Sequence, residues 1–469
     1  MSAPLTTLAA GEEVLQSDAR ALCPECRAIL PAQVAARDGR VYLDRNCPRH
    51  GLQVTLLSSD ADWYERALRF DLAPTPPAMP VMATTRGCPD DCGLCPEHNQ
   101  HTCLAVMEVT QACNLRCPTC FTSAGEVPAT SLRLDQVDFM LDRLLTQEPG
   151  LQVLQISGGE PTVHREIVAI LRAAKARGIA QVMLNTNGLR LAEDQDLVDT
   201  LADIDAVVYF QFDGLEAQTS LALRGLDIRR KKLKALDRLA EAGVAAMLVG
   251  TVVRGVNDHE LGNVVQFGLE HPAVRGINLQ PSFHEGRHLP PFDPAERMTL
   301  PDVIHGIVAQ TGGRFLRDDF VPVPCCHPNC MAVCWAYVDG GEVLPLARLL
   351  DPELHAPLMA NRALPDAGAG IPQLLTALQL VTVTGPDGAP CIGCEGVCMP
   401  LPEPSQVKGR LFNIQVTGFM DRYNLELTRL RKCCVHEILP DGRLVPFCAY
   451  NTAGYREQVA AALGVESRG

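Results

Sequence analysis

The sequence lacks the features of a secreted, membrane-spanning or nucleic-acid-binding protein. Its first 15 residues, MSAPLTTLAAGEEVL, contain no basic segment followed by an apolar one, so they do not resemble a signal peptide. The apolar run AAMLVGTVV is far too short to span a bilayer. A formal net charge of −14 argues against broad binding to nucleic acid or anionic membranes. We therefore expect a cytoplasmic protein that has no nucleic-acid partner.

Cysteine is missing from the middle of the chain but abundant on either side. The sequence has 20 cysteines, and none lies between Cys120 and Cys325. Disulfides are not expected in a cytosolic protein, so thiolate ligands for metal ions are the better interpretation. Cysteines that served only as core residues would not leave such a gap, so we expect several metal sites.

The segment from residue 103 to about 290 alternates between two patterns. Strand-like apolar runs such as LQVLQIS (151–157) are followed by amphipathic helical patterns such as HREIVAILRAAKARG (164–178). Strands that alternate with helices imply parallel strands joined by right-handed crossovers. Six such units predict an α/β fold, a partial (β/α)6 barrel with its chemistry at the C-terminal ends of the strands.

Three other parts surround this barrel, which we assign to residues 103–290. Residues 1–75 form a cysteine-containing module, and residues 76–102 contain the end of a Pro-rich linker and a cysteine-rich loop. Beyond residue 290 the periodicity fades, and Pro, Gly and cysteine motifs dominate. We expect residues 291–469 to form a C-terminal domain organised partly by metal.

The stretch ACNLRCPTCF follows the first barrel strand and contains Cys113, Cys117 and Cys120 in the spacing C-x3-C-x2-C. Three thiolates on one loop can hold three irons of a [4Fe–4S] cluster and leave the fourth iron open to another ligand. An open coordination position distinguishes a reactive metal site from a structural one, by analogy with zinc. A zinc knuckle is the alternative, but no fourth ligand lies nearby in the sequence.

Over roughly residues 103–285 the chain resembles the radical S-adenosylmethionine (SAM) superfamily. The cysteine triplet matches that family's signature, and ISGGEPT, NTNG and QFDG follow in order at successive strand ends. The resemblance implies that SAM chelates the open iron and that one electron from the cluster cleaves SAM. The resulting 5′-deoxyadenosyl radical would abstract hydrogen from an unactivated carbon. It also implies a cofactor-binding set of Phe121, Gly158, Gly159, Glu160, Asn187, Gln211 and Asp213.

The chemistry of these residues agrees with that assignment, although each motif also has a simpler interpretation. Gly158 and Gly159 would let the backbone approach the SAM methionine, and Glu160 could offset its ammonium charge. The GGE motif is otherwise an ordinary strand-to-helix turn, and Asn187 belongs to a dipeptide that favours turns. The polar residues of QFDG are otherwise ordinary loop residues.

A second C-x3-C-x2-C group, Cys88, Cys92 and Cys95, is followed by Cys103. We do not assign it to SAM cleavage because no strand precedes it and Pro96 follows its last cysteine. With Cys103 as fourth ligand it predicts a closed auxiliary [4Fe–4S] cluster, with zinc as the alternative. Cys103 opens a strand, so it could instead be a buried core residue.

The N-terminal module contains the pairs CPEC (Cys23, Cys26) and NCPRHG (Cys47, His50), which resemble a zinc ribbon or a rubredoxin-like site. Structural zinc and mononuclear iron are both compatible with these ligands. No fourth cysteine is evident, so His50 is the candidate for the fourth position.

The C-terminal part contains three cysteine groups that could hold one or two further clusters. We expect Cys391, Cys394 and Cys398 to share a cluster with one late cysteine, Cys448. Cys325 and Cys330 are further candidate ligands. The complete groups are Cys325, Cys326, Cys330 and Cys334; Cys391, Cys394 and Cys398; and Cys433, Cys434 and Cys448.

These outer motifs resemble the group that contains archaeal tetraether lipid synthases and methanopterin-pathway pterin methylases. The resemblance implies auxiliary [4Fe–4S] clusters, a rubredoxin-like metal site and a one-electron donor such as ferredoxin or flavodoxin. CCHPNC departs from the group by an extra cysteine.

Two enzymatic reactions and one non-enzymatic role fit the sequence. We favour C–C bond formation, such as methylation, at an unactivated carbon of a small pterin-like substrate. Radical coupling of lipid chains is the alternative, but the only basic amphipathic helix, residues 228–243, is more simply a barrel exterior. A non-enzymatic iron–sulfur or zinc scaffold is the third hypothesis, and the SAM-site motifs argue against it.

Overall fold

The computed structural model describes most of the chain, in eight segments. They are residues 12–79, 82–125, 130–289, 292–364, 382–384, 390–394, 397–400 and 408–463. Among these residues, no helix is both long and apolar enough to cross a bilayer.

The N-terminal module is a four-stranded antiparallel sheet followed by one helix. The strands pair in chain order, and Asp60 caps the helix by accepting a hydrogen bond from the Trp63 backbone N–H at 2.8 Å. Trp63 and Tyr64 on this helix are buried. The elements are β1 (Glu13–Leu22), β2 (Ile29–Arg37), β3 (Arg40–Cys47), β4 (Gly51–Ser58) and α1 (Ala61–Leu68).

The predicted partial barrel is confirmed. Six parallel strands pair with one another in chain order, and helices connect them. The strands are β5 (Leu104–Thr110), β6 (Val153–Gly158), β7 (Gln181–Thr186), β8 (Val207–Gln211), β9 (Ala246–Val252) and β10 (Val274–Pro281). The helices are α2 (Leu134–Gln147), α3 (Ile167–Ala176), α4 (Gln195–Asp203), α5 (Ala217–Arg224), α6 (Arg229–Glu241) and α7 (Leu261–Glu270).

The two faces of the barrel sheet differ because side chains alternate along each strand. Residues on the outer face, such as Met107, Ile156 and Leu184, are buried in the main core against the helices. The alternating residues lie on the concave inner face, and many are only half-buried, which means that this face borders open space. They include Gln155, Asn185, Tyr209, Gln211, Gln280 and Gln415.

Strands from the C-terminal part extend the barrel sheet at both edges. Beside β10 lies β17 (Leu411–Thr417), which is parallel to it, and β18 (Val435–Ile438) lies parallel to β5 on the opposite edge. The predicted boundary at residue 290 therefore separates segments that share one sheet. The sheet also contains β11 (Val321–Pro322), β12 (Met331–Asp339), β13 (Glu342–Pro345) and β19 (Leu444–Pro446).

The remaining described elements lie outside that sheet. A small antiparallel sheet consists of β14 (Thr382–Thr384), β15 (Pro390–Cys394) and β16 (Val397–Pro400). The helices are α8 (Leu300–Gln310), α9 (Pro352–His355), α10 (Leu427–Arg431), α11 (Phe447–Thr452) and α12 (Tyr455–Ala462).

Candidate active site and metal centres

The first cysteine triplet lies on the loop after β5, at the C-terminal rim of the barrel. Cys113, Cys117 and Cys120 pack in one small cluster with apolar residues that include Leu115 and Ile228. The Leu115 backbone N–H donates to Cys113 Sγ at 3.4 Å. Three thiols on one apolar rim fit the ligand set that a [4Fe–4S] cluster with one open iron requires.

Arg287, which follows β10, holds this loop in place. The Cys120 backbone N–H donates to the Arg287 carbonyl at 2.8 Å, and the Arg287 backbone N–H donates to the Cys120 carbonyl at 2.9 Å. Its side chain donates from Nε to the Cys117 carbonyl at 2.9 Å and from Nη2 to the Ala124 carbonyl at 3.0 Å. The last barrel strand therefore fixes the cysteine loop that follows the first.

The two glycines of the GGE motif allow the end of β6 to lie against the cysteine loop. A Cβ atom at Gly158 would lie 2.2 Å from the Thr110 carbonyl oxygen, and one at Gly159 would lie 2.4 Å from the Ala112 carbonyl oxygen. Gly158 also has a φ of +140°, which residues with a side chain rarely adopt. The sequence predicted that these glycines leave room for the cofactor. In the structure, they leave room for the backbone of the segment that leads into the cysteine loop.

Glu160 is fully buried and anchors the next strand end. Its Oε1 accepts hydrogen bonds from the Thr162 backbone N–H (3.1 Å), from Thr162 Oγ1 (2.6 Å) and from Thr186 Oγ1 (2.7 Å). Its Oε2 accepts one from the Asn187 backbone N–H at 2.7 Å. Burial raises the pKa of Glu160, against the effect of these donors. Among the described residues, Oε2 has one donor, so it retains capacity for another.

Asn187 connects the third strand end to the cysteine loop. Its Nδ2 donates to Asn114 Oδ1 at 2.7 Å, and its Oδ1 accepts from the Leu189 backbone N–H at 3.0 Å. Asn187 therefore does two things: its side chain closes its own turn, and it contacts Asn114, the residue after Cys113.

The fourth strand end holds a buried network of charges. Asp213 forms a two-point ion pair with Arg224, at 2.7 Å from Nε and 2.5 Å from Nη2. Burial alone would raise the pKa of Asp213, but Arg224 and Lys232 lower it. Gln211 donates from Nε2 to Asp213, and its Oε1 accepts from Lys232 Nζ.

Lys232, on α6, joins two rim loops from beneath. It is 4% exposed, and Nζ donates to the Asn187 carbonyl at 3.2 Å and also to the Gln211 carbonyl. Burial lowers the pKa of Lys232 from 10.5 to about 7, although Asp213 opposes that effect. One ammonium group thus connects the NTNG and QFDG strand ends.

Sequence reasoning did not identify Arg224, Lys232 or Arg287. Lys232 had a signal, because it lies four residues after Ile228 and four before Leu236, on the apolar stripe of its helix. A basic residue on the apolar stripe of a helix is expected to be buried, as Lys232 is. Arg224 and Arg287 carry no comparable local signal.

The structure brings the three predicted N-terminal cysteines together, with His50 as a fourth donor. His50 Nδ1 lies 3.5 Å from Cys23 Sγ and 3.4 Å from Cys47 Sγ, and the Sγ atoms of Cys26 and Cys47 are 3.8 Å apart. Tetrahedral zinc with its usual bond lengths would separate two sulfurs by about 3.8 Å and a sulfur from a nitrogen by about 3.5 Å. The four donors therefore fit a single tetrahedral ion.

The structure groups Cys103 differently from the sequence-based prediction. Its sulfur lies within 4.8 Å of those of Cys325 and Cys434, all three buried, rather than completing the loop of Cys88, Cys92 and Cys95. Cys325 Sγ and Cys434 Sγ are 3.5 Å apart. The physical reason is β18, which pairs with β5 and brings residue 434 beside the start of that strand.

The second triplet lines a cleft of its own. Cys88, Cys92 and Cys95 border that cleft together with His98 and Arg431. The Cys92 backbone N–H donates to the Tyr455 hydroxyl at 2.9 Å. Interaction with Cys92 lowers the pKa of Cys88, against the effect of burial.

The other C-terminal cysteines divide into described and undescribed groups. Arg429 Nη2 donates to Cys330 Sγ at 3.3 Å, and the Met420 backbone N–H donates to Cys448 Sγ at 3.3 Å. Cys326 and Cys434 belong to one buried cluster with Cys103. The predicted cluster of Cys391, Cys394 and Cys398 rests on side chains that lie outside the described residues.

The partial barrel, with a cysteine triplet, a GGE motif and two polar strand ends around one rim, defines a radical SAM enzyme. The family model "Radical SAM superfamily" matches residues 107–268, and "HMPTM N-terminal zinc ribbon domain" matches residues 15–59. The chain is 30% identical over 479 aligned residues to the 7,8-dihydro-6-hydroxymethylpterin dimethyltransferase of Methanocaldococcus jannaschii, covering 93% of this chain and 94% of that protein. The chain therefore belongs to the radical SAM superfamily and, within it, to the family of that dimethyltransferase.

Two other similarities cover less than half of this chain. The GTP 3′,8-cyclase of Chlorobaculum tepidum is 34% identical over 177 residues, which is 37% of this chain and 52% of that enzyme. The crystal structure of Streptococcus suis SuiB bound to S-adenosylmethionine aligns with a TM-score of 0.37 and 17% identity, over 44% of this chain and 46% of that one.

Proposed function

We propose that this enzyme uses SAM and a [4Fe–4S] cluster on Cys113, Cys117 and Cys120 to methylate a carbon of a small pterin-like heterocycle. Whole-length similarity to a pterin dimethyltransferase supports this substrate class. The alternative, coupling of lipid chains, would require a long apolar channel beside the same rim.

The polarity of the concave face is the observation that carries the choice between these substrates. Below the rim, this face presents side chains of Gln155, Asn185, Tyr209 and Gln280, all half-buried. Amide and phenol groups would lose hydrogen bonds to water if an alkyl chain covered them, and burying such a group unpaired costs about 1–3 kcal/mol. The face therefore favours a compact, polar substrate over a lipid.

The roles of the rim residues follow from their contacts. A bound cluster and SAM would supply one-electron reductive cleavage chemistry at this rim. Cys113, Cys117 and Cys120 would hold the cluster, and the free capacity of Glu160 Oε2 suits the SAM ammonium group. Lys232 and the Asp213–Arg224 pair fix the strand ends that would contact the rest of SAM.

The auxiliary metal sites, the electron donor and the location are part of the same proposal. Cys103, Cys325 and Cys434 suit one auxiliary metal centre, and Cys88 with its neighbours suits an auxiliary cluster. A low-potential protein such as ferredoxin or flavodoxin would supply electrons. Reduced cysteine ligands and a low-potential electron donor both fit a cytoplasmic enzyme.

The test is SAM cleavage and methyl transfer by the anaerobically purified, iron-loaded protein. With dithionite and SAM we expect 5′-deoxyadenosine from the wild type and from Cys23→Ala, but none from Cys113→Ala. Methylated product should form from 7,8-dihydro-6-hydroxymethylpterin, provided with a methyl donor, and not from archaeal diether lipid. Absence of 5′-deoxyadenosine from fully loaded wild type would favour a metal scaffold, and coupling of the lipid would overturn the substrate assignment.

A further inference from the structure

The corner between helices α5 and α6 lies directly against the cysteine loop at the rim. A Cβ atom on Gly225, which follows α5, would lie 3.5 Å from Pro118 Cδ and 3.9 Å from the Arg116 carbonyl oxygen. Ile228, which precedes α6, packs in the same apolar cluster as the three cysteines of that loop. A protein seated on this corner would therefore be close to the proposed [4Fe–4S] cluster.

This corner exposes large apolar side chains to solvent. Leu226, which connects the two helices, is 57% exposed, Leu221 on α5 is 45% exposed and Leu233 on α6 is 36% exposed. Exposed leucines are ordinary when they are scattered singly over a surface. Three of them along one helical corner, beside a proposed metal site, indicate a contact surface.

Unpaired cations border these leucines. Arg230 and Lys234 are exposed, and they share one face of α6 with Leu233, which lies three residues after Arg230. Among the described residues, neither cation pairs with a carboxylate, whereas Lys231 pairs with Glu193. The whole chain has a formal net charge of −14, so this basic face differs in sign from the molecule that carries it. It would attract an acidic partner.

We propose that the surface formed by Leu221, Leu226, Arg230, Leu233 and Lys234 docks the protein that reduces the cluster. Its partner is an acidic, low-potential one-electron carrier of the flavodoxin or ferredoxin class. The carrier gives up one electron, and the cluster on the cysteine loop accepts it. This assignment rests on the proposed function, because it requires a cluster that must be reduced before SAM is cleaved.

Position and shape favour such a carrier over an anionic membrane. Electron transfer weakens steeply with distance, and this corner contacts the loop that would hold the cluster. Redox partners meet through small interfaces, so a patch of a few side chains is sufficient. A helix that binds a membrane surface presents a continuous apolar face. On α6, by contrast, Leu236 and Leu239 are buried, which leaves Leu233 as the one exposed leucine of that helix.

Binding and electron delivery by purified flavodoxin and ferredoxin test this surface. The dissociation constant of each carrier for iron-loaded protein is measured without oxygen by biolayer interferometry, at low and at high salt. We expect wild type to bind at least one carrier at low salt and more weakly at high salt. Arg230→Glu and Leu226→Asp should each weaken that binding by about fivefold or more at low salt.

SAM cleavage with two kinds of reductant separates docking from catalysis. The same variants should form 5′-deoxyadenosine more slowly than wild type when the enzymatically reduced carrier supplies electrons. With dithionite, which is small and needs no docking surface, their rates should equal that of wild type. Arg172→Glu is the matched control, because Arg172 is a 52% exposed cation on α3 and the charge change is the same. This variant should behave as wild type in every assay, and Arg230→Gln decides the question if the other corner variants do not fold.

The outcomes distinguish the surface from the proposed function. Variants that keep wild-type carrier binding, or that lose dithionite-driven cleavage as well, would overturn the docking surface alone. Wild type that binds neither carrier, or that instead binds vesicles of phosphatidylglycerol through Arg230, would also overturn it. Absence of dithionite-driven cleavage in iron-loaded wild type would overturn the proposed function itself.

Discussion

Removing the ammonium group of Lys232 should change how the stability of this enzyme depends on pH. The group is 4% exposed, and burial lowers its pKa from 10.5 to about 7. The unfolded chain therefore binds a proton on Lys232 between pH 7 and 10.5 that the folded chain does not. Because the unfolded state binds more protons there, the contribution of Lys232 to folding stability rises with pH.

The size of the effect follows from the same two values. Each pH unit between 7 and 10.5 corresponds to about 1.36 kcal/mol, so the full change is about 5 kcal/mol. Below pH 7 both states are protonated and the contribution is constant. Lys232→Met removes the titrating group, so the difference in unfolding free energy between wild type and this variant should shift in favour of wild type as the pH rises.

Urea unfolding of iron-loaded protein at several pH values from 7 to 10 measures this difference. The matched control is Lys231→Met, because Lys231 is the neighbouring residue, is 56% exposed and pairs with Glu193 on the surface. Its pH dependence should parallel that of wild type. If the unfolding free energies of wild type and Lys232→Met changed in parallel with pH, Lys232 would not be buried as described. It would then not connect the two rim loops.

Three further perturbations test other parts of the structure. His50→Ala should release the N-terminal metal ion, measured as loss of zinc or mononuclear iron by elemental analysis, with 5′-deoxyadenosine formation retained. Gly158→Ala should destabilise the protein by more than about 2 kcal/mol in urea unfolding, because its Cβ would meet the Thr110 carbonyl, whereas Gly150→Ala, where nothing lies within 4 Å, should not. Cys434→Ser should lower the metal content of the protein by one auxiliary centre, measured by elemental analysis, and the buried Cys334→Ser should not; equal contents would refute the proposed grouping.

The barrel and its rim motifs were predictable because their signals are local. Each strand and most helices carry their own periodicity, and the motifs at residues 113, 158, 187 and 211 follow successive strands directly. Parallel strands then bring their C-terminal ends to one rim without further information. The short helix α5 had no such pattern, and its last residue, Arg224, was missed for that reason.

The grouping of the cysteines at the proposed auxiliary sites was not predictable, because it depends on strand pairing between distant segments. Cys103 and Cys434 are separated by more than 300 residues, and they meet because β18 pairs with β5. The spacing of Cys88, Cys92 and Cys95 instead favoured the nearest following cysteine as the fourth ligand. Likewise, nothing in the sequence of β17 indicates that it extends the barrel beside β10.

The protein environment gives the proposed metal ligands different proton affinities, which affects how each site would be loaded. Burial alone would raise the pKa of Cys23, but the backbone N–H groups of Cys26 and Glu25 lower it to about 6. Burial, with the nearby Glu160 carboxylate, raises the pKa of Cys113 to about 11. At neutral pH the N-terminal site therefore presents a thiolate in advance, whereas iron must displace a proton from Cys113 as it binds. Burial also raises the pKa of Cys47 in the N-terminal site, so metal binding should release protons at both sites.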